Sequence, residues 1–312
     1  MARLRVLFFG MEGIFSRAPL AALLDAGHDI LAVVVPRSYT LPGASTAPRL
    51  VPPPRQHNLT LQLVGQPSEP TIIGMAWATG IPVLEIGRPT QPDTLAALAQ
   101  YAPGVICVAC FPYLLPRSLL AIPEHGGFNI HPSLLPEFRG PSPLFWVYRA
   151  GLEHAGVTVH RMDAGADTGD IAAQQSVEIA DGTRYSDAER LLSRVGGELL
   201  VDVLDEIAQG NLQLHSQTAN RATSAPTPSD SDYIVATTWP ARRAFNFIHG
   251  LAEWEHPFTI ALDGKRLVLH DAAGFDATQV LDVPVRRDGD RFAVRFSPGV
   301  LHIDAAAIED YP

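Results

Sequence analysis

Short apolar runs alternate with helical segments along the first 130 residues, and this alternation restricts the fold more than any other feature of the chain. Residues 3–9, RLRVLFF, are typical of a strand that is buried on both faces. A helix is predicted over Arg17–Ala26 with Ser16 as its N-cap, and a second strand over Asp29–Val35. Because parallel strands need a long crossover, this βαβ start predicts a doubly wound, mostly parallel sheet of the α/β class.

The alternation continues beyond this start. Further strands are predicted over residues 82–86, 104–110, 127–130, 156–162 and 170–179. Further helices are predicted over 93–101, 117–122, 142–152 and 191–207, the last of them after a capping box of Ser186 and Glu189. We therefore expect one α/β domain over residues 1–208.

The C-terminal third has a different pattern. Residues 209–232 are polar and contain several prolines and serines, which predicts a linker. After a predicted helix over 241–251, short alternating runs are separated by Asp263-Gly264 and Asp288-Gly289, dipeptides that favour hairpin turns. We expect a smaller β-rich domain over residues 233–312, built as a barrel or sandwich.

Composition restricts the partners and the compartment. The formal net charge is −10, and Lys265 is the single lysine among 23 basic residues, which argues against a nucleic-acid-coating protein but leaves room for a local arginine patch. No apolar run reaches roughly 18 residues, so no membrane partner is expected. Cys107 and Cys110 are the two cysteines, which favours a reducing, cytoplasmic location. Their C-x-x-C spacing lies inside an apolar run, and we interpret them as buried small residues rather than as a redox pair.

A candidate site begins where the strand over 127–130 ends. Asn129 and His131 are two residues apart, so their side chains point to the same face of the sheet. Pro132 ends the strand and places the imidazole at the carboxyl edge, where open α/β sheets bind ligands. An amide and an imidazole at this position can stabilise an oxyanion and move a proton.

A second candidate segment is the glycine-rich loop GADTG at residues 165–169. It places Asp167 in a turn where the backbone can approach a flat ligand closely. A simple Asx-turn, or a calcium loop formed with Asp163 and Asp170, would use the same residues. The calcium interpretation fails on spacing, and no string typical of a zinc, P-loop or nucleophile-elbow site occurs, so no metal is predicted.

Taken together, these segments resemble a known family. The strings FNIHPSLLP at 128–136, RG at 139–140, GVT at 156–158 and MDAGADTGD at 162–170 are similar to the signature of the 10-formyltetrahydrofolate-dependent formyltransferases. The length, the linker position and the β-rich tail most resemble those of methionyl-tRNA formyltransferases. The resemblance covers residues 3–205 well and the tail in outline. It implies a Rossmann-like catalytic domain over 1–208 and an OB-like domain at the C-terminus.

The resemblance also implies the chemistry and the residues that perform it. A formyl group would pass from the co-substrate 10-formyltetrahydrofolate to an amine. The residues that match the catalytic residues of the family are Asn129, His131 and Asp167. The pterin would lie between residues 110–114 and the 162–167 loop, with Phe111 and Tyr113 flanking it. The expected folate-binding residues are Cys110, Phe111, Tyr113, Leu114, Met162, Asp163, Ala164 and Gly165.

The acceptor amine is where the chain departs from the tRNA enzymes that it resembles. Their first-strand turn reads Gly-Thr-Pro-Asp-Phe, whereas residues 10–16 read GMEGIFS. Their basic inserted loop corresponds to the proline-rich residues 36–70, which contain three arginines and no lysine and are interpreted as a surface loop or lid. Residues 211–312 carry nine basic against thirteen acidic side chains, a net of −4. We therefore favour a small amine, such as an amino sugar, over initiator methionyl-tRNA. Hydrolysis of 10-formyltetrahydrofolate and non-catalytic ligand binding are the remaining alternatives.

Overall fold

The computed structural model describes residues 3–37, 47–54, 70–262, 264–304 and 306–310. These residues belong to two compact units that alternate along the chain. Unit 1 comprises Met1–Pro136, Val157–Gln175 and Arg190–Ala222, and unit 2 comprises Glu137–Gly156, Ser176–Glu189 and Thr223–Pro312. The predicted boundaries at residues 208 and 233 stay a prediction about separable domains.

The largest sheet of the described residues contains eight strands. They are β1 (Arg5–Gly10), β2 (Asp29–Pro36), β3 (Arg49–Leu50), β4 (Val83–Ile86), β5 (Val105–Ala109), β6 (Gly127–His131), β7 (His154–Arg161) and β8 (Ile171–Glu178). Their spatial order is β3-β4-β2-β1-β5-β6-β7-β8. The five strands from β4 to β6 in this order pair in parallel, whereas β3 and β7 run antiparallel to β4 and β6. The predicted mostly parallel sheet is confirmed.

Seven α-helices accompany the strands. They are α1 (Ile14–Asp25), α2 (Ile72–Ala78), α3 (Pro92–Ala99), α4 (Arg117–Leu120), α5 (Pro143–Ala150), α6 (Tyr185–Gln209) and α7 (Ala241–Leu251), all counted among the described residues. Single turns of 3-10 helix occur at Ala219–Arg221, Asp230–Tyr233 and Ala252–Trp254.

Two helices begin before the serine that was predicted to cap them. The hydroxyl of Ser16 donates to Ala109 O at 2.7 Å, so Ser16 lies inside α1 and Gly13 precedes the helix. α6 begins at Tyr185, so Ser186 lies inside the helix and not before its first residue. The backbone N–H and the hydroxyl of Ser186 donate to the carboxylate of Glu253, at 3.1 and 3.0 Å.

The core of unit 1 lies on both faces of the central strands. In β1, Leu7 and Phe9 pack with Val34 and Val108 on one face, and all four side chains are buried. Phe8, on the other face, is equally inaccessible. Burial on both faces explains why the strand is an uninterrupted apolar run rather than an alternating one.

Two glycines bring α6 close to the strand that carries the predicted site. A Cβ on Gly196 would lie 2.5 Å from Ile130 Cγ2, and one on Gly197 would lie 3.0 Å from Pro19 Cα. Such approaches exclude a side chain, so α6 packs directly on β6 and on α1. The C-terminal end of β6 is therefore fixed by the packing of α6 against it.

Unit 2 contains two four-stranded sheets. The first has the order β16-β11-β10-β9 and the second the order β12-β15-β14-β13. Their strands are β9 (Ile234–Val235), β10 (Phe258–Leu262), β11 (Lys265–Leu269), β12 (Gly274–Asp276), β13 (Val285–Asp288), β14 (Arg291–Arg295), β15 (Val300–Ile303) and β16 (Ala307–Asp310). The β10–β11 and β13–β14 pairs are antiparallel, and Gly264 and Gly289 in their turns have φ of +69° and +62°. The predicted β-rich C-terminal region is confirmed, although Asp263 lies outside the described residues.

The predicted lid over residues 36–70 is described in part. Residues 47–54 contain β3 at the sheet edge, where the Arg49 guanidinium lies 2.7 Å from the Glu85 carboxylate. Residues 38–46 and 55–69 lie outside the described residues, so the lid stays a prediction. Among the helices that the structure describes, none has the length and apolarity to cross a bilayer.

Candidate active site

The candidate site lies entirely in unit 1, at the end of β6. Asn129 pairs across β6 and β7 with His160, and His131 pairs with Thr158. Residues opposite each other in an antiparallel pair project to the same face, so this face carries four polar side chains in two adjacent rows. His131, Thr158 and His160 are buried, with 4%, 0% and 2% of their surface exposed. Polar groups buried to this degree need partners.

The turn that follows His131 is held by Thr158 and Gln174. The hydroxyl of Thr158 donates to Ser133 O at 2.6 Å and accepts from Leu135 N at 3.1 Å. The side-chain amide of Gln174 donates to Leu135 O at 2.7 Å and to Thr158 Oγ1 at 2.8 Å. Sequence reasoning named Thr158 only within the string GVT and did not identify Gln174. The available signal was the period-two placement of Thr158 and His160 in an otherwise apolar strand.

The loop that carries Asp167 is stabilised by hydrogen bonds between its own residues. Asp163 Oδ1 accepts from Gly165 N at 2.9 Å and from Thr168 Oγ1 at 2.7 Å, so Asp163 forms an Asx-turn. A Cβ on Gly169 would lie 1.7 Å from Arg161 O, which leaves space for glycine alone. Asp167 has a left-handed φ of +54°, a conformation that needs outside support in a residue other than glycine.

That support comes from a segment that was predicted to be a linker. Gln217 Nε2 donates to Asp167 O at 2.9 Å and to Gly169 O at 2.7 Å. Ser216 Oγ donates to Asp170 Oδ1 at 3.0 Å, and His215 pairs with Ile171 through both backbone hydrogen bonds. Residues 215–217 of the predicted linker are therefore bonded to the Asp167 loop and to the start of β8. A polar composition indicates loops without showing what they bond to.

At the centre of the site, one carboxylate lies between two imidazoles. Asp167 Oδ2 is 3.7 Å from His131 Nδ1, and Asp167 Oδ1 is 3.5 Å from His160 Nε2. Asn129 Nδ2 is 3.1 Å from the same nitrogen of His160. The structure thus brings together the three predicted catalytic residues. It adds His160, which sequence reasoning did not identify.

The predicted folate-binding residues separate into two groups. A cavity of ≈ 340 Å³ is lined by Met162, Asp163, Ala164 and Gly165, together with Arg117, Leu120 and Ala121, which were not predicted. Cys110, Phe111, Tyr113 and Leu114 are not among these lining residues. The Phe111 ring packs edge-on against Phe9 and Tyr113, with centroids 5.2 and 5.8 Å apart, whereas Leu114 is 60% exposed.

The two cysteines have different environments. Cys107 is fully buried, and burial raises the pKa of its thiol far above the usual range. Cys110 is exposed, so its interpretation as a buried residue was wrong. Within the described ranges, no three His, Cys, Asp or Glu side chains are grouped so as to hold a metal ion.

Comparison with known proteins agrees with this fold. Residues 4–204 match the family described as formyl transferase, and the chain belongs to that family of formyl-transferring enzymes. It is 32% identical over 270 residues to a methionyl-tRNA formyltransferase of Geobacter metallireducens, covering 86% of this chain and 80% of the relative. It is 30% identical over 312 residues to the methionyl-tRNA formyltransferase of Geotalea uraniireducens, and this match covers 99% of this chain and 92% of the relative.

A solved structure has the same fold at low sequence identity. It is the N-formyltransferase of Helicobacter canadensis, crystallised with folinic acid and dTDP-3-aminofucose. The TM-score is 0.65 at 14% identity, and the match covers 97% of this chain and all of that one.

Proposed function

We propose that the protein transfers a formyl group from 10-formyltetrahydrofolate to a primary amine, with Asn129, His131 and Asp167 as the catalytic residues. The observation that carries the proposal is the placement of the Asp167 carboxylate 3.7 Å from the buried His131 imidazole, two residues after Asn129 on the same strand. Membership of the formyl transferase family supports the formyl donor.

In the proposed reaction, each residue acts on the formyl carbon or on its oxygen. The amine attacks the formyl carbonyl, and the oxygen gains negative charge that an Asn129 N–H and a protonated His131 can bind. Donors placed in advance at such an oxygen contribute about 10² to 10³ in rate. The Asp167 carboxylate favours the imidazolium form of His131. Through a water molecule it would accept the proton that the amine loses and return it to the departing folate nitrogen.

We place the pterin of the donor in the cavity beside the Asp167 loop. Met162, Asp163, Ala164 and Gly165 line it, and Leu120 supplies an apolar wall. Its volume of ≈ 340 Å³ lies within the range of small-molecule pockets. The rest of the donor would extend toward the exposed Leu114 and Tyr113.

For the acceptor we favour a small amine, because many arginines of unit 2 already have anionic partners. The fold pairs them with carboxylates: Arg149 with Asp232, Arg184 with Asp271, Arg242 with Asp181 and Glu153, Arg266 with Glu309, Arg286 with Asp282 and Arg291 with Asp304. A nucleic-acid phosphate at these positions would have to displace a carboxylate. The net charge of −4 over residues 211–312 opposes phosphate binding further.

Initiator methionyl-tRNA is the second candidate acceptor. It is favoured by the two relatives of that activity, which match this chain at 30–32% identity over most of their length. The two acceptors differ in salt dependence. If the protein binds tRNA by neutralising several phosphates, its apparent affinity for tRNA should fall roughly tenfold or more between low and moderate salt. The apparent affinity for a small amine should hardly depend on the salt concentration.

The experiment supplies the purified protein with 10-formyltetrahydrofolate and follows the release of tetrahydrofolate. Amino sugars, other small amines and charged initiator tRNA are offered separately, each at two salt concentrations. Asn129→Ala and His131→Ala should each lower turnover about 10²-fold or more, while His154→Ala, a change at an exposed histidine of β7, serves as the matched control. Release that does not depend on any amine would identify a hydrolase instead. Formylation of tRNA with a steep salt slope would replace the small-amine proposal.

A further inference from the structure

His160 is a buried polar residue of the site to which the proposed mechanism gives no role. Its side chain is 3% exposed, and its Nε2 faces both Asn129 and Asp167. The other ring nitrogen, Nδ1, lies 3.3 Å from the backbone oxygen of Arg161. A buried imidazole with a defined partner at each nitrogen has a defined tautomer.

The partners indicate which tautomer is present. A carbonyl oxygen can only accept, so Nδ1 carries the hydrogen and donates it to Arg161 O. Nε2 then presents a lone pair, and it accepts from the side-chain N–H of Asn129 at 3.1 Å. In this arrangement Nε2 carries no hydrogen, so the 3.5 Å separation between Nε2 and Asp167 Oδ1 is not a hydrogen bond.

The lone pair has a consequence for Asn129, whose amide group has two orientations of similar shape. In one orientation Nδ2 faces His160 and keeps its second hydrogen for another acceptor. In the flipped orientation Oδ1 faces the Nε2 lone pair, and the two repel each other. An imidazole acceptor at this position therefore selects one orientation of the amide.

We infer that His160 is a positioning residue: it fixes the side-chain amide of Asn129 so that one N–H remains directed at the formyl oxygen. The inference rests on the proposed formyl transfer, in which Asn129 donates to that oxygen. His160 itself does not touch the reacting atoms. It prevents the flipped amide, which would present an oxygen to the developing negative charge.

Substitutions separate this role from simple packing. His160→Leu keeps most of the volume and removes the acceptor, and it should lower kcat about tenfold with KM for the folate donor nearly unchanged. His160→Gln restores an acceptor near the Nε2 position and should recover most of the loss. His154→Leu, at the exposed start of the same strand, is the control and should behave as wild type. A His160→Leu enzyme with wild-type kcat overturns the inference.

A double-mutant cycle tests whether His160 acts through Asn129. In an Asn129→Ala background no amide remains to be oriented, so His160→Leu should change turnover by less than about twofold. A tenfold loss that persists in this background refutes positioning through Asn129 and indicates an action on Asp167 or on the fold. Melting temperatures of all variants, compared with wild type, identify any loss that comes from unfolding.

A readout that needs no turnover keeps this test separate from that of the proposed function. The ¹³C and ¹⁵N shifts of the His160 ring, assigned by their loss in His160→Gln, distinguish the Nδ1–H tautomer from the commoner Nε2–H tautomer. We expect Nδ1–H, and observing Nε2–H overturns the inference even if formyl transfer is fast. Conversely, a wild-type protein that releases no tetrahydrofolate with any amine refutes the proposed function, whatever the tautomer.

Discussion

Replacing Gln217 by alanine should slow the enzyme without unfolding it. The side-chain amide of this residue donates to two carbonyl oxygens of the loop that carries Asp167, those of Asp167 and Gly169, at 2.9 and 2.7 Å. The residue lies outside the loop and contacts it through these bonds. Its removal therefore weakens the hold on the backbone conformation that directs the Asp167 carboxylate toward His131.

The size of the effect follows from the two hydrogen bonds that are lost and from the energetic cost of the backbone conformation that they stabilise. Two neutral hydrogen bonds contribute about 1 kcal/mol each. Asp167 has a φ of +54°, and a left-handed conformation costs about 1 kcal/mol or more in a residue with a Cβ. Without Gln217 the observed conformation of the loop loses about 2 kcal/mol of stabilisation relative to other conformations. Since about 1.4 kcal/mol corresponds to a factor of ten, kcat should fall roughly tenfold to thirtyfold.

The assay is steady-state release of tetrahydrofolate with saturating donor and acceptor. Gln217→Glu should resemble Gln217→Ala, because a carboxylate has the size but not the donors. Gln213→Ala is the matched control, since the side chain of Gln213 donates to Asn211 O within the same segment. If Gln217→Ala turns over like wild type, or if Gln213→Ala is slowed to the same degree, the segment does not support Asp167 in the way that we infer.

Three further results are expected. Asp167→Asn should lower turnover by roughly 10² to 10⁴, with little change in folate affinity by titration, and near-wild-type turnover would contradict the assigned role. A thiol reagent should label Cys110 rapidly in the native protein and Cys107 only after denaturation, because burial raises the pKa of the Cys107 thiol; two fast thiols would contradict the structure. Bound folate should slow the Cys110 reaction if the donor extends past residues 110–114. Burial also lowers the pKa of His28 below 6.5, so the unfolded chain binds its proton more readily and stability falls as pH drops below that value. The melting temperature should therefore decline less steeply from pH 7 to pH 5 in His28→Gln, and identical slopes would show that His28 does not contribute.

Local patterns were sufficient for the features that depend on the chain's own neighbours. The parallel sheet was predicted from apolar runs with helical segments between them, because a strand that is buried on both faces has a continuous apolar sequence. The positions of Asn129 and His131 followed from the two-residue period of a strand and from the proline that ends it. The hairpin of β13 and β14 followed from its Asp-Gly turn. Each of these rests on residues within about ten positions of one another.

The features that sequence reasoning missed join residues distant in the chain. Ser16 does not cap α1, because Ala109 O, 93 residues away, accepts its hydroxyl. His160 meets Asn129 only because β7 returns antiparallel beside β6, and the sequence alone does not set that register. Gln217 reaches the Asp167 loop across 50 residues of chain. A polar side chain has many local partners of similar energy, so its actual partner is decided by which backbone groups the packed sheet and helices leave within about 3 Å of it.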